Sequence, residues 1–348
     1  MSLLDVQGLI KHFPIKSGLL NRQTATVRAV DGVSFAIAAG ETLGVVGESG
    51  CGKSTTARLI MHLIEHDAGN IAFDGKPIGK TVGSQHMPLK ELRRQMQMVF
   101  QDSYASLNPR LTIEESIAFG PQVHGLGRTE ARARARDLLA RVGLNPAQFI
   151  RRYPHELSGG QRQRVNIARA LALEPKLVIL DESVSALDKS VQAQVLNLLA
   201  DLKQEFKLTY MFISHDLNVV QYISDRVMVM YLGRIAEIGP VGEIYANPRH
   251  PYTRALLSAM PSVDPDDRTE VPPLTGDPPN PINPPSGCRF RTRCEHAEAV
   301  CEQKEPALES VSGAPDGASV SSSSHSAACH MMNPQSGHSK IIPIAVAA

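Results

Sequence analysis

Three short runs of apolar residues stand out along the chain, at residues 43–46, 177–180 and 210–213. Such runs predict buried strands of a parallel sheet, because both faces of a parallel sheet are covered and its strands are therefore almost wholly apolar. Small or polar residues follow the runs: Gly47 follows the first, Asp181 and Glu182 the second, and Ser214 and His215 the third. Ligands of open α/β sheets bind at the carboxyl ends of the strands, so we expect these groups to lie in one site.

Helical and hairpin patterns fill the chain around these runs. Apolar residues recur three and four positions apart within residues 57–64 and 135–142, which predicts two helices with one buried face. Apolar and other residues alternate at 33–37, as in a half-buried strand, and residues 225–239 predict a hairpin that turns near Gly233. We therefore expect a mixed sheet with added antiparallel strands.

Charge and composition exclude several classes of protein. The 348 residues include 36 Lys and Arg against 35 Asp and Glu, so the chain lacks the net positive charge that favours nucleic acid. A basic segment at 128–141 is interleaved with acidic residues and is interpreted as a solvated helix face. No apolar run approaches the roughly 18 residues that cross a membrane. Asp5 and Lys11 interrupt the apolar start of the chain, so we predict no secretory signal and five cysteines in a reducing compartment.

A change of composition marks a boundary near residue 261. Residues 261–287 contain nine prolines in 27 positions, which is typical of an extended linker. Four cysteines follow, and residues 311–328 are rich in Ser, Gly and Ala. That segment has too few large apolar side chains to form a core of its own.

Residues 47–54 match the pattern G-x-x-x-x-G-K-[ST] at every fixed position, between a predicted strand and a predicted helix. We call this segment the phosphate loop. Its glycines allow backbone N–H groups to face phosphate oxygens, and the helix N-terminus adds a favourable partial charge. Lys53 reaches the β- and γ-phosphates and Ser54 offers a hydroxyl to Mg²⁺. Cys51 lies inside the loop and is interpreted as a variable position. The loop predicts a site for a nucleoside triphosphate.

Hydrolysis of a bound triphosphate needs a carboxylate for the water shell of Mg²⁺ and a base or orienting group for the attacking water. Asp181 and Glu182 can supply these groups. Seen alone, adjacent carboxylates at a strand end could equally face solvent or cap a helix, but the phosphate loop favours the functional interpretation. His215 could polarise the γ-phosphate or hold the water and Glu182 in place.

A second anion-binding signal precedes a predicted helix at 162–173 and consists of Ser158, Gly159, Gly160 and Gln161. Ser158 is a good N-cap, and the two glycines permit close approach of an anion to the helix N-terminus. In isolation a Ser-Gly-Gly segment is usually a loop, so this signal depends on its context.

Together these motifs, with Gln101 and with residues 185–188, resemble the ATP-binding subunit of an ATP-binding cassette (ABC) transporter. The resemblance covers about residues 3–260. It implies an α/β fold of the P-loop NTPase type, with a mixed parallel core sheet, an antiparallel β-subdomain, a helical signature subdomain and a small cysteine-bearing C-terminal extension. The implied nucleotide-binding domain is 1–260, with its helical subdomain at about 90–170. A linker at 261–287, a cysteine-bearing region at 288–335 and a tail at 336–348 would follow.

The resemblance implies a role for each matching residue. Phe13 would stack on adenine, Glu182 would be the general base, and His215 would contact the γ-phosphate. Phosphates and magnesium would be held by Gly47, Ser49, Gly50, Cys51, Gly52, Lys53, Ser54 and Thr55. Ser54, Gln101 and Asp181 would serve the magnesium ion. Ser158, Gly159, Gly160 and Gln161 would cap the ATP held by a second subunit.

One residue departs from the family pattern. Ser183 stands where most members have proline. The change loosens the turn after Glu182 but removes no chemical group.

Several segments resemble the dipeptide and oligopeptide importer branch of this family, namely residues 104–110, 222–233 and 247–254 and the cysteine-bearing tail. Within that branch, the best match is the second ATPase of the dipeptide permease type. This implies a peripheral protein on the cytoplasmic face of the membrane. Its partners would be a related but distinct ABC ATPase, two membrane permease subunits and an extracytoplasmic solute-binding protein, with no nucleic acid. The alternative is a soluble ABC ATPase acting on ribosomes or DNA, which a single cassette without a heptad run disfavours.

The cysteines of the tail follow the spacing C-x₅-C-x₆-C-x₂₇-C, at Cys288, Cys294, Cys301 and Cys329. This spacing is wider than that of common zinc sites and alone favours no metal. The resemblance implies that the four thiols hold a [4Fe–4S] cluster, while zinc and unligated thiols remain alternatives. His296, His325 and His330 are interpreted as bystanders.

Overall fold

The computed structural model describes residues 2–17, 22–79, 86–260, 276, 279–311 and 324–342. The chain divides into two compact units. The first unit comprises Met1–Ala38, Leu43–His86 and His215–Ala348, and the second comprises Ala39–Thr42 and Met87–Ser214. Most of the proline-rich segment at 261–287 and part of the tail lie outside the described residues, so the predicted domain boundaries stay predictions.

Strands and helices alternate along most of the described chain. The strands, in chain order, are β1 Ser2–Ser17, β2 Arg22–Ala38, β3 Thr42–Val46, β4 Ala68–Phe73, β5 Lys76–Ile78, β6 Met96–Val99, β7 Leu177–Asp181, β8 Thr209–Ile213, β9 Arg226–Tyr231, β10 Arg234–Pro240, β11 Glu309–Ser310 and β12 Ser326–Ala327. The helices are α1 Lys53–Ile60, α2 Leu89–Gln95, α3 Ile113–Val123, α4 Arg128–Arg141, α5 Pro146–Phe149, α6 Gly159–Leu171, α7 Lys189–Phe206, α8 Leu217–Ile223, α9 Val241–Ala246, α10 Pro251–Ser258 and α11 Ala299–Gln303.

The first unit contains an antiparallel sheet in the order β2-β1-β4-β5. β1 and β2 pair along nearly their whole length, from Ser2 opposite Ala38 to Ser17 opposite Arg22. Apolar side chains on one face of the alternating pattern are buried, including Leu4, Ile37 and Phe73. The strand predicted at 33–37 is therefore confirmed, as part of a longer strand.

A second group of strands in the first unit has the order β11-β12-β10-β9-β3. β3 runs parallel to β9, and β9 and β10 form the predicted hairpin. Its turn contains Leu232 with φ 43° and Gly233 with φ 79°, a pair of positive φ angles that matches the twist of hairpin strands. β12, from the cysteine-bearing tail, pairs with β10 through Glu237 and Ile238.

The second unit contains the parallel strands β6, β7 and β8, in the order β8-β7-β6. β7 and β8 are buried along their entire length, which confirms the two strands predicted from continuous apolar runs. Helices α3, α4 and α6 pack against one another, and α6 also packs on β6. The basic face of α4 forms ion pairs, with Arg136 Nε 2.7 Å from Glu114 and Arg141 Nε 2.7 Å from Asp137.

Within the described part of the chain, no helix combines the length and the apolar character needed to cross a bilayer.

Candidate functional site

The phosphate loop connects β3 to α1 and depends on glycine at two crowded positions. A Cβ atom on Gly47 would lie 2.2 Å from the Met230 carbonyl oxygen, and one on Gly52 would lie 2.3 Å from the Ala29 carbonyl oxygen. Both residues have positive φ angles, 144° and 108°, which side chains disfavour. Gly52 is also the N-cap of α1 and supplies no side-chain hydrogen bond there. The first-turn N–H groups of α1 therefore keep the anion-binding capacity of a helix N-terminus.

The side chain of Lys53 folds back onto the start of the phosphate loop. Its Nζ donates to the Gly47 carbonyl oxygen at 2.7 Å and to the Glu48 carbonyl oxygen at 3.0 Å, and the residue is 5% exposed. Ser54 and Thr55 come next, in the first turn of α1, and both are half-buried. The loop and helix thus bring together the ammonium, hydroxyl and amide groups that the sequence predicted for a phosphate site.

Phe13 lies on β1 and remains 38% exposed, with Lys11 Nζ 5.4 Å from the centre of its ring. The neighbouring His12 binds Asp31 through Nε2 at a distance of 2.9 Å. An exposed aromatic ring on a strand is available for stacking on a base. The position of Phe13 in the first unit, which also contains the phosphate loop, is compatible with its predicted contact to adenine.

The Asp31 carboxylate lies at the centre of a buried charge network. It accepts hydrogen bonds from His12 and from Arg289, and Arg234 Nη2 lies 3.5 Å away. Burial acts to raise the pKa of Asp31, but the hydrogen bond from His12 and the positive charge of Arg289 outweigh it and lower the pKa below its usual value. The carboxylate is therefore ionised at neutral pH and compensates the buried guanidinium.

In the second unit, Ser158 caps α6 as the sequence predicted. Its Oγ accepts from the Gln161 N–H at 3.3 Å, and the Gln161 side chain accepts from the Ser158 N–H at 3.0 Å, which makes a reciprocal capping box. Gly159 and Gly160 form the first turn of the helix. A Cβ atom on Gly160 would lie 2.5 Å from Val191 Cγ1, so packing at this position also requires glycine.

Asp181 and Glu182 follow one another at the end of β7. Asp181 is buried, with 4% exposure. The Glu182 N–H donates to the Ile213 carbonyl oxygen at 3.0 Å, so the ends of β7 and β8 meet, as expected for neighbouring parallel strands. Glu182 has a positive φ of 45°, an unfavourable angle for a residue with a side chain and one that is common at functional sites.

Gln101 reaches Glu182 from the loop after β6. Its Nε2 donates to Glu182 Oε2 at 3.0 Å, which fixes the orientation of one carboxylate oxygen. The structure therefore brings together two of the side chains that the sequence assigned to metal and water. Ser183, the departure from the family pattern, is buried, and its hydroxyl has no hydrogen-bond partner among the described residues. His215 belongs to the first unit and is exposed, one residue before the N-cap Asp216 of α8.

The four tail cysteines line one cavity, although up to 41 positions separate them in sequence. Its lining includes Cys288, Cys294, Cys301 and Cys329, all present as free thiols, with Phe290 and Met331. The Cys288 N–H donates to the Cys301 carbonyl oxygen at 2.7 Å, which joins two of the cysteine-bearing segments. Within the described ranges, no three His, Cys, Asp or Glu side chains converge closely enough to hold a single metal ion.

The electrostatics of this cavity oppose bare thiolates at Cys288, Cys294 and Cys329. Burial, together with the charge of the neighbouring cysteines, raises the pKa of Cys288 to about 11 and that of Cys329 to about 12. Backbone N–H groups act in the opposite direction, because those of Phe290 and Arg291 face Cys288, that of His296 faces Cys294 and that of Met331 faces Cys329. These N–H donors favour the charged form of the sulfur at three of the four cysteines.

The histidines of the tail have other partners. His325 Nε2 lies 2.6 Å from the buried carboxylate of Glu237, and His330 Nε2 lies 2.9 Å from the Lys304 carbonyl oxygen. His296 lines the cavity and its Nδ1 lies 3.3 Å from Lys340 Nζ. His330 also lines the cavity, so the interpretation of these histidines as bystanders stays a prediction.

Comparison with known proteins decides the family. A family model described as ABC transporter matches residues 30–185, and one described as the C-terminal region of oligopeptide/dipeptide transporters matches residues 236–301. The chain is 50% identical over 337 residues to the oligopeptide transport ATP-binding protein AppF of Bacillus subtilis, covering 95% of this chain and 97% of that protein. It is 52% identical over 313 residues to the oligopeptide transport ATP-binding protein OppF of Salmonella typhimurium, covering 88% and 92%. The chain belongs to the ABC transporter ATP-binding proteins.

A solved structure extends this finding to the fold. A dimeric ATP-binding cassette in a post-hydrolysis state, bound to ADP and phosphate, aligns with a TM-score of 0.58 and 27% identity over 68% of this chain and 98% of that chain. The predicted ABC-type α/β fold is confirmed, and the chain is an ABC ATPase that converts ATP and water to ADP and phosphate. ATP with Mg²⁺ suits the phosphate loop and the Lys53 ammonium described above.

Sequence reasoning missed the distant residues that contact the phosphate loop and the Asp31 carboxylate. The Glu48 N–H donates to Tyr252 Oη at 2.9 Å, and the Glu48 carboxylate pairs with Arg293. Arg289 reaches Asp31 in the same way. The partners are more than 200 positions apart, so no local spacing could reveal them; the only hint was that both arginines adjoin cysteines.

Proposed function

We propose that this ABC ATPase energises the import of peptides through a membrane transporter, from the cytoplasmic face of the membrane. The observation that carries the proposal is the match of residues 236–301 to the C-terminal region of oligopeptide/dipeptide transporters. The relatives named above support it, because both are oligopeptide transport proteins and match almost the whole chain.

In the proposed hydrolytic step, the phosphate loop and Lys53 bind the β- and γ-phosphates of ATP while Phe13 stacks on adenine. Glu182 accepts a proton from the attacking water. The water oxygen bonds to the γ-phosphorus, and the bond between the γ-phosphorus and the β-phosphate oxygen breaks. Gln101 holds the Glu182 carboxylate in place, and its 3.0 Å hydrogen bond supports that role. His215 contacts the γ-phosphate. Magnesium, held by Ser54, Gln101 and Asp181, would neutralise phosphate charge.

Assembly completes the nucleotide site in this proposal. Ser158, Gly159, Gly160 and Gln161 cap the ATP of a second, related ATPase subunit, whose own segment caps the ATP held by this chain. The capped N-terminus of α6, with glycine in its first turn, is suited to bind the phosphate of a partner's nucleotide. The assembly also contains two membrane permease subunits and an extracytoplasmic binding protein that selects the solute.

We further propose that Cys288, Cys294, Cys301 and Cys329 hold a [4Fe–4S] cluster. The four cysteines line one cavity, and Cys288, Cys294 and Cys329 receive backbone N–H donors, which supports a group larger than one ion. Bound there, the cluster would cross-link the tail and supply the stability that its few large apolar residues cannot.

Reconstitution tests the transport function. The chain is coexpressed with candidate permeases, a second ATPase and a solute-binding protein from the same genome, and the purified complex is placed in liposomes. We expect a binding protein loaded with a dipeptide or an oligopeptide to stimulate ATP hydrolysis and labelled peptide to accumulate only with ATP. Stimulation by nickel or glutathione instead of peptide would overturn the peptide assignment. Copurification with ribosomes rather than permeases would overturn the transport function itself.

A further inference from the structure

Arg293, one residue before Cys294, forms a forked ion pair with Glu48, the second residue of the phosphate loop. Its Nη1 lies 3.1 Å from Glu48 Oε1 and 2.8 Å from Oε2, and its Nη2 lies 3.1 Å from Oε1. The side chain of Arg293 is only 6% exposed and that of Glu48 is 22% exposed. A forked and largely desolvated pair fixes orientation as well as distance, which a solvated surface pair does not.

The main chain of Glu48 is part of the phosphate loop itself. Its N–H donates to Tyr252 Oη at 2.9 Å, and its carbonyl oxygen accepts from Lys53 Nζ at 3.0 Å. The residue whose carboxylate binds Arg293 therefore contacts the lysine that binds the phosphates. Without Arg293, the Glu48 carboxylate would also be an uncompensated negative charge beside a polyanionic nucleotide.

The cysteine region determines the position of Arg293. The Arg293 N–H donates to the Phe290 carbonyl oxygen at 3.0 Å, and Phe290 is 3% exposed. The Phe290 ring packs 5.4 Å from the rings of Tyr231 and Tyr252, measured between centroids, and Phe290 and Cys294 both line the cysteine cavity. One packed group thus joins the wall of the cavity to the phosphate loop.

We propose that Arg293 is a positioning residue for nucleotide binding, which connects the contents of the cysteine cavity to the phosphate loop through Glu48. The connection to the cavity rests on the proposed cluster; the connection to the nucleotide rests only on the contacts above. Arg293 holds Glu48 in place and neutralises it, so loss of the guanidinium weakens MgATP binding without touching any group that reacts.

Fluorescent ATP titration of the intact protein tests this inference. We expect Arg293→Gln to raise the Kd for MgATP about tenfold with a smaller change in kcat, because one desolvated charge pair is lost. Arg293→Lys restores the charge but not the fork, so its Kd lies between those of the wild type and Arg293→Gln. The double variant Glu48→Gln with Arg293→Gln recovers part of the affinity, because the unpaired carboxylate is gone.

Arg291→Gln is the matched control. Arg291 belongs to the same turn but binds Ser286 and Glu302 rather than the phosphate loop, so its replacement leaves the Kd unchanged. A Kd for Arg293→Gln within about twofold of the wild type overturns the proposal. An equal rise of the Kd for MgATP in Arg291→Gln also overturns the proposal, because any disturbance of this segment would then weaken binding.

Linkage supplies a second readout, because a coupling between two sites acts in both directions. We expect MgATP to slow the release of iron from the wild-type protein to a chelator, and not to slow it in Arg293→Gln. Equal slowing in both proteins contradicts the connection to the cavity. A wild-type protein that contains no iron refutes the proposed cluster. A wild-type protein that binds no MgATP refutes the proposed function. Normal MgATP binding by Arg293→Gln refutes this inference alone.

Discussion

Gln101 and Glu182 are joined by a 3.0 Å hydrogen bond from the glutamine amide to one carboxylate oxygen. The two residues lie in separate loops, after β6 and at the end of β7, whose strands are parallel neighbours. Only one of the two carboxylate oxygens of Glu182 takes part in this hydrogen bond. A displacement of the loop that carries Gln101 would therefore change the orientation of the carboxylate that we assign as the base.

Replacement of Glu182 by Gln removes the proton acceptor while preserving the size of the side chain. We expect ATP turnover to fall by about 10²–10⁴-fold, the usual contribution of a general base, while MgATP still binds and the ATPase pair remains associated. Steady-state hydrolysis, nucleotide titration and size-exclusion chromatography measure these effects. Wild-type turnover in Glu182→Gln would refute the assignment of the base.

Replacement of Gln101 by Ala removes the group that orients the Glu182 carboxylate. We expect kcat to fall about tenfold because the base is no longer held in one geometry, with little change in the Kd for MgATP. Gln97→Ala, on β6, is the control, because the Gln97 side-chain amide donates to the Arg93 carbonyl oxygen rather than to Glu182. A variant with lower affinity but unchanged kcat would contradict this positioning role.

Replacement of Lys53 by Ala removes the ammonium that lies in the phosphate loop. We expect binding or turnover of ATP to be abolished, because the β- and γ-phosphates lose their cation and the loop loses two hydrogen bonds. Isothermal titration with MgATP and an ATPase assay measure the effect. The exposed Lys90→Ala serves as the control and should behave as the wild type; ATP hydrolysis at the normal rate by Lys53→Ala would exclude the loop as the phosphate site.

Protein purified without oxygen should be brown and contain about four irons per chain, the content of one [4Fe–4S] cluster. Cys294→Ser should lose most of this iron, because an alcohol is a poor ligand for soft metals. Cys51→Ser is the matched control and should keep it, since Cys51 lies in the phosphate loop rather than the cavity. Colourless protein that folds without iron, or with zinc in its place, would exclude the cluster.

Replacement of Asp31 by Asn removes the carboxylate that pairs with the buried Arg289. We expect the free energy of unfolding at neutral pH to fall by about 3 kcal/mol, the lower end of the cost of breaking a buried pair. Asp137→Asn, which breaks an exposed pair with Arg141, should cost less than about 1 kcal/mol. Urea unfolding measures both values, and equal effects would contradict the importance of the buried network.

The same aspartate predicts a dependence on pH. Its pKa is lower in the folded than in the unfolded chain, so its ionised form stabilises the fold at pH values above the unfolded pKa. This stabilisation is lost as the pH falls through the lowered folded pKa, below about 4. In Asp31→Asn this component of the acid-induced loss should be missing from the stability profile.

The sequence predicted the elements whose signals are local. Continuous apolar runs revealed β7 and β8, fixed spacing revealed the phosphate loop, and Ser158 followed by Gln161 revealed the start of α6. β1 was not predicted as a strand, because shifts in its register near Val6 and Leu9, together with the positive φ of Gly8, interrupt the alternation that marks strands.

Contacts between distant segments explain what sequence reasoning could not supply. Arg293 and Glu48 are 245 positions apart, and neither residue type nor spacing distinguishes them from the other charged residues of the sequence. Likewise, the spacing of the four cysteines alone favoured no metal, whereas folding places them around one cavity. Such relationships depend on topology and become visible only in three dimensions.

The pairing of β12 with β10 has a consequence for the integrity of the molecule. β10 is an exposed edge without it, and an unpaired edge strand is a template for aggregation with other chains. The tail covers the Glu237 and Ile238 part of that edge with two strands of only two residues each, too short to recruit a further chain efficiently. Proteolytic removal of the tail would therefore convert a shielded sheet into a self-associating one.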